Sequence, residues 1–259
     1  MSESIVYVGG ARIHLLRQGT GSPLLYIHGS GDAGGWLPAQ SELASHYTVY
    51  RPDLPGYNGS DRRPDITSVA EMAASVWQLL DEVFVGEVRI IGSSLGGWIA
   101  AEMAAVNPSR VSHLVLLDAV GLEPSGGFPV DQFSMSGPEI VRAVYHSDDL
   151  RAAVGADTAE RLKNPGAAER MAGNASMTRL LGEHPYFHDP SLPARLGGVE
   201  AKTLIVWGAD DGLVPVSCGL LYEQLIPDAR LVVLADCGHL PLVEQPAAAL
   251  AEIVPFLAS

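Results

Sequence analysis

Cysteine is nearly absent from this sequence. Only Cys218 and Cys237 occur in 259 residues, too few for a disulfide framework. A reduced, cytoplasmic setting is the simplest expectation. Basic residues are scarce as well, with 16 Lys and Arg against 30 Asp and Glu and a formal net charge of −14. Nucleic acid and anionic membrane surfaces both need a basic patch, so neither is expected as a partner. No apolar run approaches the roughly 20 residues that span a bilayer. Residues 1–10 carry Glu3 and lack the apolar stretch of a signal peptide. Internal repeats and low-complexity tracts are missing too. What remains is a chain that is 47% hydrophobic and long enough for one substantial core.

Short β-rich runs alternate with helical patterns, the signature of a mostly parallel sheet covered by helices. Strands are expected at 12–17, 24–28, 48–50, 88–92, 114–117, 203–207 and 231–234. Helices are expected at 69–83, 95–106, 216–225 and 246–257. In the first of these, Val69, Met72, Ala73, Val76, Leu79, Leu80 and Val83 form one stripe. Between residues 120 and 198 no strand pattern appears. Helix-like pieces at 138–145 and 167–181 are broken up by Pro and Gly. The expected division is a core of 1–119 and 199–259 with a helical cap inserted at 120–198. Such a cap lies over the carboxyl ends of the strands, where ligands bind in open α/β sheets.

The chemistry starts at Gly92-Ser93-Ser94-Leu95-Gly96, a G-x-S-x-G between a strand and a helix. A strand that enters a helix through one tight turn strains its central residue, and small residues on either side relieve the crowding. Ser94 is therefore the candidate nucleophile. A serine hydroxyl needs a base, and His239 follows the 231–234 strand just before the last helix. Histidines 14, 46 and 113 read as packed or solvated, whereas His146, His184 and His188 belong to the insertion, within reach of substrate, though each taken singly reads as a surface residue. An acid must hold the imidazole in one tautomer. Asp211 is the preferred acid, just past the 203–207 strand, with Asp118 and Asp210 as alternatives. The order Ser, Asp, His suits an α/β hydrolase. Oxyanion donors are expected from the backbone N–H groups of Ser30 and Leu95, each worth about 10²–10³ in rate.

The loop carrying Ser30 contains an ambiguity. Gly29-Ser30-Gly31-Asp32-Ala33-Gly34 also fits G-x-G-x-x-G, with Asp53 about twenty residues on, which is the dinucleotide-binding fingerprint. A Rossmann-type NAD-dependent oxidoreductase is therefore a remote alternative. It leaves Ser94, Asp211 and His239 unexplained.

With these pieces placed, the chain resembles the α/β-hydrolase superfamily over nearly its whole length. The resemblance rests on His28-Gly29, Asp53-Leu54-Pro55-Gly56, residues 92–97, Gly208-Ala209-Asp210-Asp211 and Gly238-His239. It implies an eight-stranded sheet of order 1-2-4-3-5-6-7-8, with strand 2 antiparallel and the cap after strand 6. It also implies hydrolysis through an acyl-enzyme on Ser94, with no metal or organic cofactor, by a monomer or homodimer acting on a small molecule. The loop 30–36 is partly similar to that of the meta-cleavage-product hydrolases, which break carbon–carbon bonds. Those usually carry Asn before the nucleophile and Trp after the His, where this chain has Ser93 and Leu240. The expectation is thus an ester or thioester hydrolase of an apolar substrate, with carbon–carbon cleavage as the alternative. Candidate pocket residues are Gly29, Trp36, Trp98, Phe128, Phe133, Tyr145 and Leu240. Arg142 and Arg195 are the candidates for gripping an anionic substrate.

Overall fold

The structure is a computed structural model that describes residues 1–32, 34–84, 86–124 and 126–259. Ala33, in the glycine-rich stretch, lies outside the described residues. In chain order the elements are β1 (Ser2–Val8), β2 (Ala11–Gln18), β3 (Pro23–Ile27), α1 (Pro38–Leu43), β4 (Thr48–Pro52), α2 (Val69–Val83), β5 (Val88–Ser93), α3 (Leu95–Val106), β6 (Val111–Leu117), α4 (Gly137–Val144), α5 (Asp148–Arg161), α6 (Pro165–Gly182), α7 (Leu192–Leu196), β7 (Lys202–Gly208), α8 (Val216–Leu225), β8 (Ala229–Leu234), α9 (Pro241–Glu244) and α10 (Pro246–Leu257).

The eight strands form one sheet in the order β1-β2-β4-β3-β5-β6-β7-β8. β2 is antiparallel to both neighbours, and every pairing from β4 to β8 is parallel. The central strands are apolar on both faces, because helices cover both. On β3, Leu25 and Ile27 join the layer of α2 and α3, while Leu24 and Tyr26 join that of α1 and α10. β6 repeats this alternation with Leu114 and Leu116 on one face and Val115 and Leu117 on the other. Each such side chain, once fully buried, contributes about 1.5–3 kcal/mol.

The helix boundaries have local causes. Ser68 caps α2 by accepting from the Glu71 N–H, and the Glu71 carboxylate accepts the Ser68 N–H at 3.0 Å, a reciprocal capping box. Trp77 of α2 donates its indole N–H to the Met103 carbonyl of α3, locking the two helices together. The strand order reverses direction around β3, which is flanked by β4 and β5. The crevice at the carboxyl ends of β3 and β5 is therefore the place where such a sheet binds ligands.

Five elements were not legible beforehand: β1, α5 and the short helices α1, α7 and α9. β1 is an edge strand exposed along most of its length, so it lacks the apolar run that marks the interior strands. α5 buries none of its residues, so no apolar stripe marks it in the sequence. α4 to α7 all lie between β6 and β7. α7 packs against α3 and α8 through Leu192 and Leu196, which are fully buried. No helix is long and apolar enough to cross a membrane among the described residues.

Candidate active site

β5 runs straight into α3, and Ser94 occupies the turn. Its backbone adopts φ 55° and ψ −117°, a left-handed conformation that costs about 1–3 kcal/mol for a residue with a side chain. Surrounding backbone bonds hold it there. The Ser94 N–H donates to the Leu117 carbonyl at 2.8 Å, and its carbonyl accepts from Gly97 and Trp98. Gly92 and Gly96 allow the close approach. A Cβ on Gly92 would overlap the Gly96 carbonyl, and one on Gly96 would overlap the Ile27 carbonyl. Leu95 is the first residue of α3, so its N–H has no intrahelical acceptor.

The other loops converge on this turn. Ser94 and His239 line one small pocket together with Ser30, Val120, Phe128, Gln132, Tyr186, Phe187, Leu213 and Val214. The His239 ring bonds Asp211 through Nδ1 and Oδ2 at 2.7 Å. The second Asp211 oxygen accepts the N–H groups of Leu213 at 2.8 Å and Val214 at 3.0 Å. Asp211 is thereby fixed in orientation, and it dictates that Nδ1 carries the proton of a neutral His239. Nε2 is then left as the acceptor, as a general base for Ser94 requires.

Asp118 and Asp210 take other positions. Asp210 is exposed and pairs with His146 at 3.0 Å. Asp118 is buried at the end of β6, with φ 45°, and accepts the Gly208 N–H at 2.9 Å. Atoms of Asp118, Asp211 and His239 that could ligate lie within 4.8 Å of one another. Burial, and then the Asp211 charge, push the Asp118 carboxyl well above the ordinary carboxylate range. Both effects favour the neutral form of Asp118, beside the Asp211–His239 pair. Asp211 and His239 bond each other, whereas Asp118 bonds only the Gly208 N–H and its Oδ2 has no hydrogen-bond partner among the described residues. In the exposed group of His146, Asp210 and Asp236, the two carboxylates lie beside different ring nitrogens, Asp210 at 3.0 Å and Asp236 at 3.9 Å. Both cysteine thiols are buried and pushed up to about 12, chiefly by desolvation, which disfavours the thiolate form of each.

His28 and Asp53 lie buried behind the loop that carries Ser30. His28 is fully buried, and its pKa is lowered by desolvation. As a neutral ring it donates from Nδ1 to the Gly29 carbonyl at 2.8 Å and accepts the Leu54 N–H at Nε2 at 3.0 Å. Gly29 sits against Ser94, since a Cβ added there would lie 3.2 Å from Ser94 Cβ. Asp53 accepts from Arg51, His14 and the Gly59 N–H. Burial alone would raise its pKa, but the Arg51 guanidinium, helped by the Gly59 N–H, brings it below the ordinary value.

This arrangement corrects the dinucleotide alternative. Asp53 is spent on Arg51 and His14 and is 2% exposed, so it offers nothing to a ribose. The glycine-rich stretch does not open a helix either, because α1 begins only at Pro38.

Several expected wall residues lie elsewhere. Trp36 donates to Ser41 and packs in the α1–α10 layer. Trp98 and His184 line a separate surface crevice beside α2 and α6. Phe133 stacks on Phe187, 5.4 Å between centroids, and carries Arg179 on its ring. Tyr145 ends α4, and Leu240 precedes α9; neither lines the pocket. His188 turns toward Glu123 at 3.6 Å. Arg195 is held by Glu102 and Asp189, and Arg142 is exposed on α4. Sequence reasoning missed Val120, Gln132, Tyr186, Phe187, Leu213 and Val214. Leu213 and Val214 were findable, because they follow Asp211 by two and three residues on a loop expected to turn inward.

A serine on a strained strand-to-helix turn, over a parallel sheet and beside a His–Asp pair, defines the class of α/β hydrolases. The sequence model of the alpha/beta hydrolase fold matches residues 22–246, and the chain belongs to that family. It is 29% identical over 267 residues to the 2-hydroxy-6-oxo-2,4-heptadienoate hydrolase of Pseudomonas putida, covering 98% of this chain and 96% of that one. It is 31% identical over 247 residues to the dihydrolipoyllysine-residue acetyltransferase component of the acetoin cleaving system of Cupriavidus necator. That match covers 92% of this chain but only 64% of the relative. A solved membrane phospholipase A, described as a bacterial virulence factor, superposes with a TM-score of 0.84 at 28% identity, covering 99% and 86% of the two chains.

Proposed function

We propose that this α/β hydrolase works through an acyl-enzyme on Ser94, with His239 as base and Asp211 as the acid that orients it. The observation that carries the reading is the 2.7 Å bond between His239 and a doubly anchored Asp211, beside a pocket that Ser94 shares. Ser94 attacks the substrate carbonyl while His239 Nε2 takes its proton. The N–H groups of Ser30 and Leu95 hold the oxyanion. His239 then protonates the leaving group, and water releases the acyl group by the reverse sequence. The insertion 120–198 acts as the cap, since Val120, Phe128, Gln132, Tyr186 and Phe187 line the pocket.

For the bond broken, the relatives favour carbon–carbon cleavage over the ester hydrolysis expected from sequence. The heptadienoate hydrolase matches along nearly all of both chains. In that reading a proton first moves onto the substrate's dienol. Ser94 then attacks the ketone, and the carbon group leaves as a stabilised enolate. The ester reading keeps one observation of its own. None of the ten pocket residues is Arg or Lys, which suits a neutral ester better than a carboxylate. Steady-state assays on one preparation decide between the readings. 2-Hydroxy-6-oxo-2,4-heptadienoate is expected to exceed p-nitrophenyl butyrate at least tenfold in kcat/KM, about 1.4 kcal/mol in transition-state binding. A tenfold preference for the ester overturns the carbon–carbon reading and leaves the acyl-enzyme intact.

A further inference from the structure

One side chain of the insertion reaches the loop that carries Ser30. Asn174 stands in the middle of α6, where Asn is a poor helix former, and is only 9% exposed. Its Nδ2 donates to the Asp32 carbonyl at 3.1 Å, and its Oδ1 accepts the Asn58 N–H at 2.9 Å. Asn58 itself is left-handed, with φ 49°. Neighbouring α6 residues pack on the same loop: Thr178 Oγ1 meets the Tyr57 hydroxyl at 3.2 Å, and Met177 lies against Gly56.

Asp32 is the point where these bonds meet the site. Its N–H donates to the Gly29 carbonyl at 3.3 Å, closing the turn that contains Ser30. Its carboxylate accepts the Gly34 N–H at 2.7 Å and pairs with Arg51. Arg51 is fully buried and reaches Asp53 with its other nitrogen. The Ser30 turn is therefore braced from the core side by Arg51 and from the insertion side by Asn174.

We propose that Asn174 is a positioning residue for oxyanion stabilisation. By holding the Asp32 carbonyl it sets the Ser30 N–H, and it makes docking of α6 a condition for a competent oxyanion site. This rests on the acyl-enzyme reading above. An oxyanion donor acts through placement, and an error of about 1 Å in a reacting geometry can cost on the order of 10²-fold. Loss of one brace of two should lower the chemical step by about tenfold while leaving apolar binding alone.

The test measures phosphonylation of Ser94 by an alkyl fluorophosphonate, whose phosphoryl oxygen occupies the oxyanion position. The maximal rate and the half-saturating concentration are resolved for the parent, Asn174→Ala, Asn174→Asp and Met177→Ala. Asn174→Asp keeps the acceptor for the Asn58 N–H but loses the amide that donates to the Asp32 carbonyl and to Asn58 Oδ1. Both Asn174 variants are expected to lose about tenfold in maximal rate at unchanged half-saturation. Met177→Ala, which loosens the same helix face without touching Asp32, is expected to keep the parent rate. Parent-like rates in both Asn174 variants overturn the proposal, as does rescue by Asn174→Asp. An equal loss in Met177→Ala overturns it too, because general docking would then suffice. A parent that is not labelled at Ser94 overturns the acyl-enzyme reading, and the proposal with it.

Discussion

Replacing Asp211 by Asn should cripple catalysis and leave the fold intact, and the structure supplies the reason. One Asp211 oxygen accepts two backbone N–H groups, from Leu213 and Val214. An asparagine must keep its carbonyl there, because the opposite orientation would set its amide against two donors, at about 1–3 kcal/mol for each one left unsatisfied. The amide nitrogen then faces His239 Nδ1, which must become an acceptor. The ring proton moves to Nε2, and the base can no longer take the Ser94 proton. Losses of about 10³ or more follow from such a tautomer switch, close to 4 kcal/mol at 1.36 kcal/mol per tenfold. The assay is single-turnover acylation with p-nitrophenyl butyrate, with circular dichroism as the check on folding. Asp118→Asn is the control, since its amide oxygen keeps the bond from the Gly208 N–H and the Asp211–His239 bond is left untouched; it should stay within about tenfold of the parent. A folded Asp211→Asn variant within tenfold of the parent refutes the reasoning. A crippled Asp118→Asn would move the acid to the end of β6.

Two further outcomes follow. Asp118 has a folded pKa raised by burial and by Asp211, so the folded state binds its proton more tightly than the unfolded one. Its contribution to stability is complete below the ordinary value of 3.8 and is lost as pH rises through the folded value. Asp118→Asn, which cannot ionise, should therefore gain in Tm relative to the parent as pH climbs above about 4; a difference that is flat between pH 4 and 8 contradicts this. Gly92→Ala and Gly96→Ala each press a methyl into a backbone carbonyl at the Ser94 turn. Each should lose about 1–3 kcal/mol, read as the urea midpoint, and parent-like midpoints would show that the turn is looser than described.

The fold was legible because the interior strands are continuous apolar runs and α2 carries a clean stripe. β1 and α5 were hidden for the opposite reason, since neither buries much. At the site, Ser94, Asp211 and His239 each sit beside a glycine-bearing turn at a strand end, a local signature. Pocket walls have no such signature. Trp36 and Trp98 look like walls by type, but long-range packing sends one to the α1–α10 layer and the other to a separate crevice. Phe128 does line the pocket, and nothing in its sequence neighbourhood sets it apart from Phe133. The Arg residues of the insertion illustrate the same limit. Arg195 is drawn away by Glu102, a carboxylate 93 residues distant in sequence that is only 1% exposed.

The central claim is that Ser94 is the nucleophile. The most direct measurement is peptide mapping by mass spectrometry after reaction with a fluorophosphonate. The account predicts one adduct per chain, on Ser94, and its disappearance in His239→Ala. An adduct on Ser93, labelling that survives loss of His239 at the parent rate, or no adduct at all would contradict it.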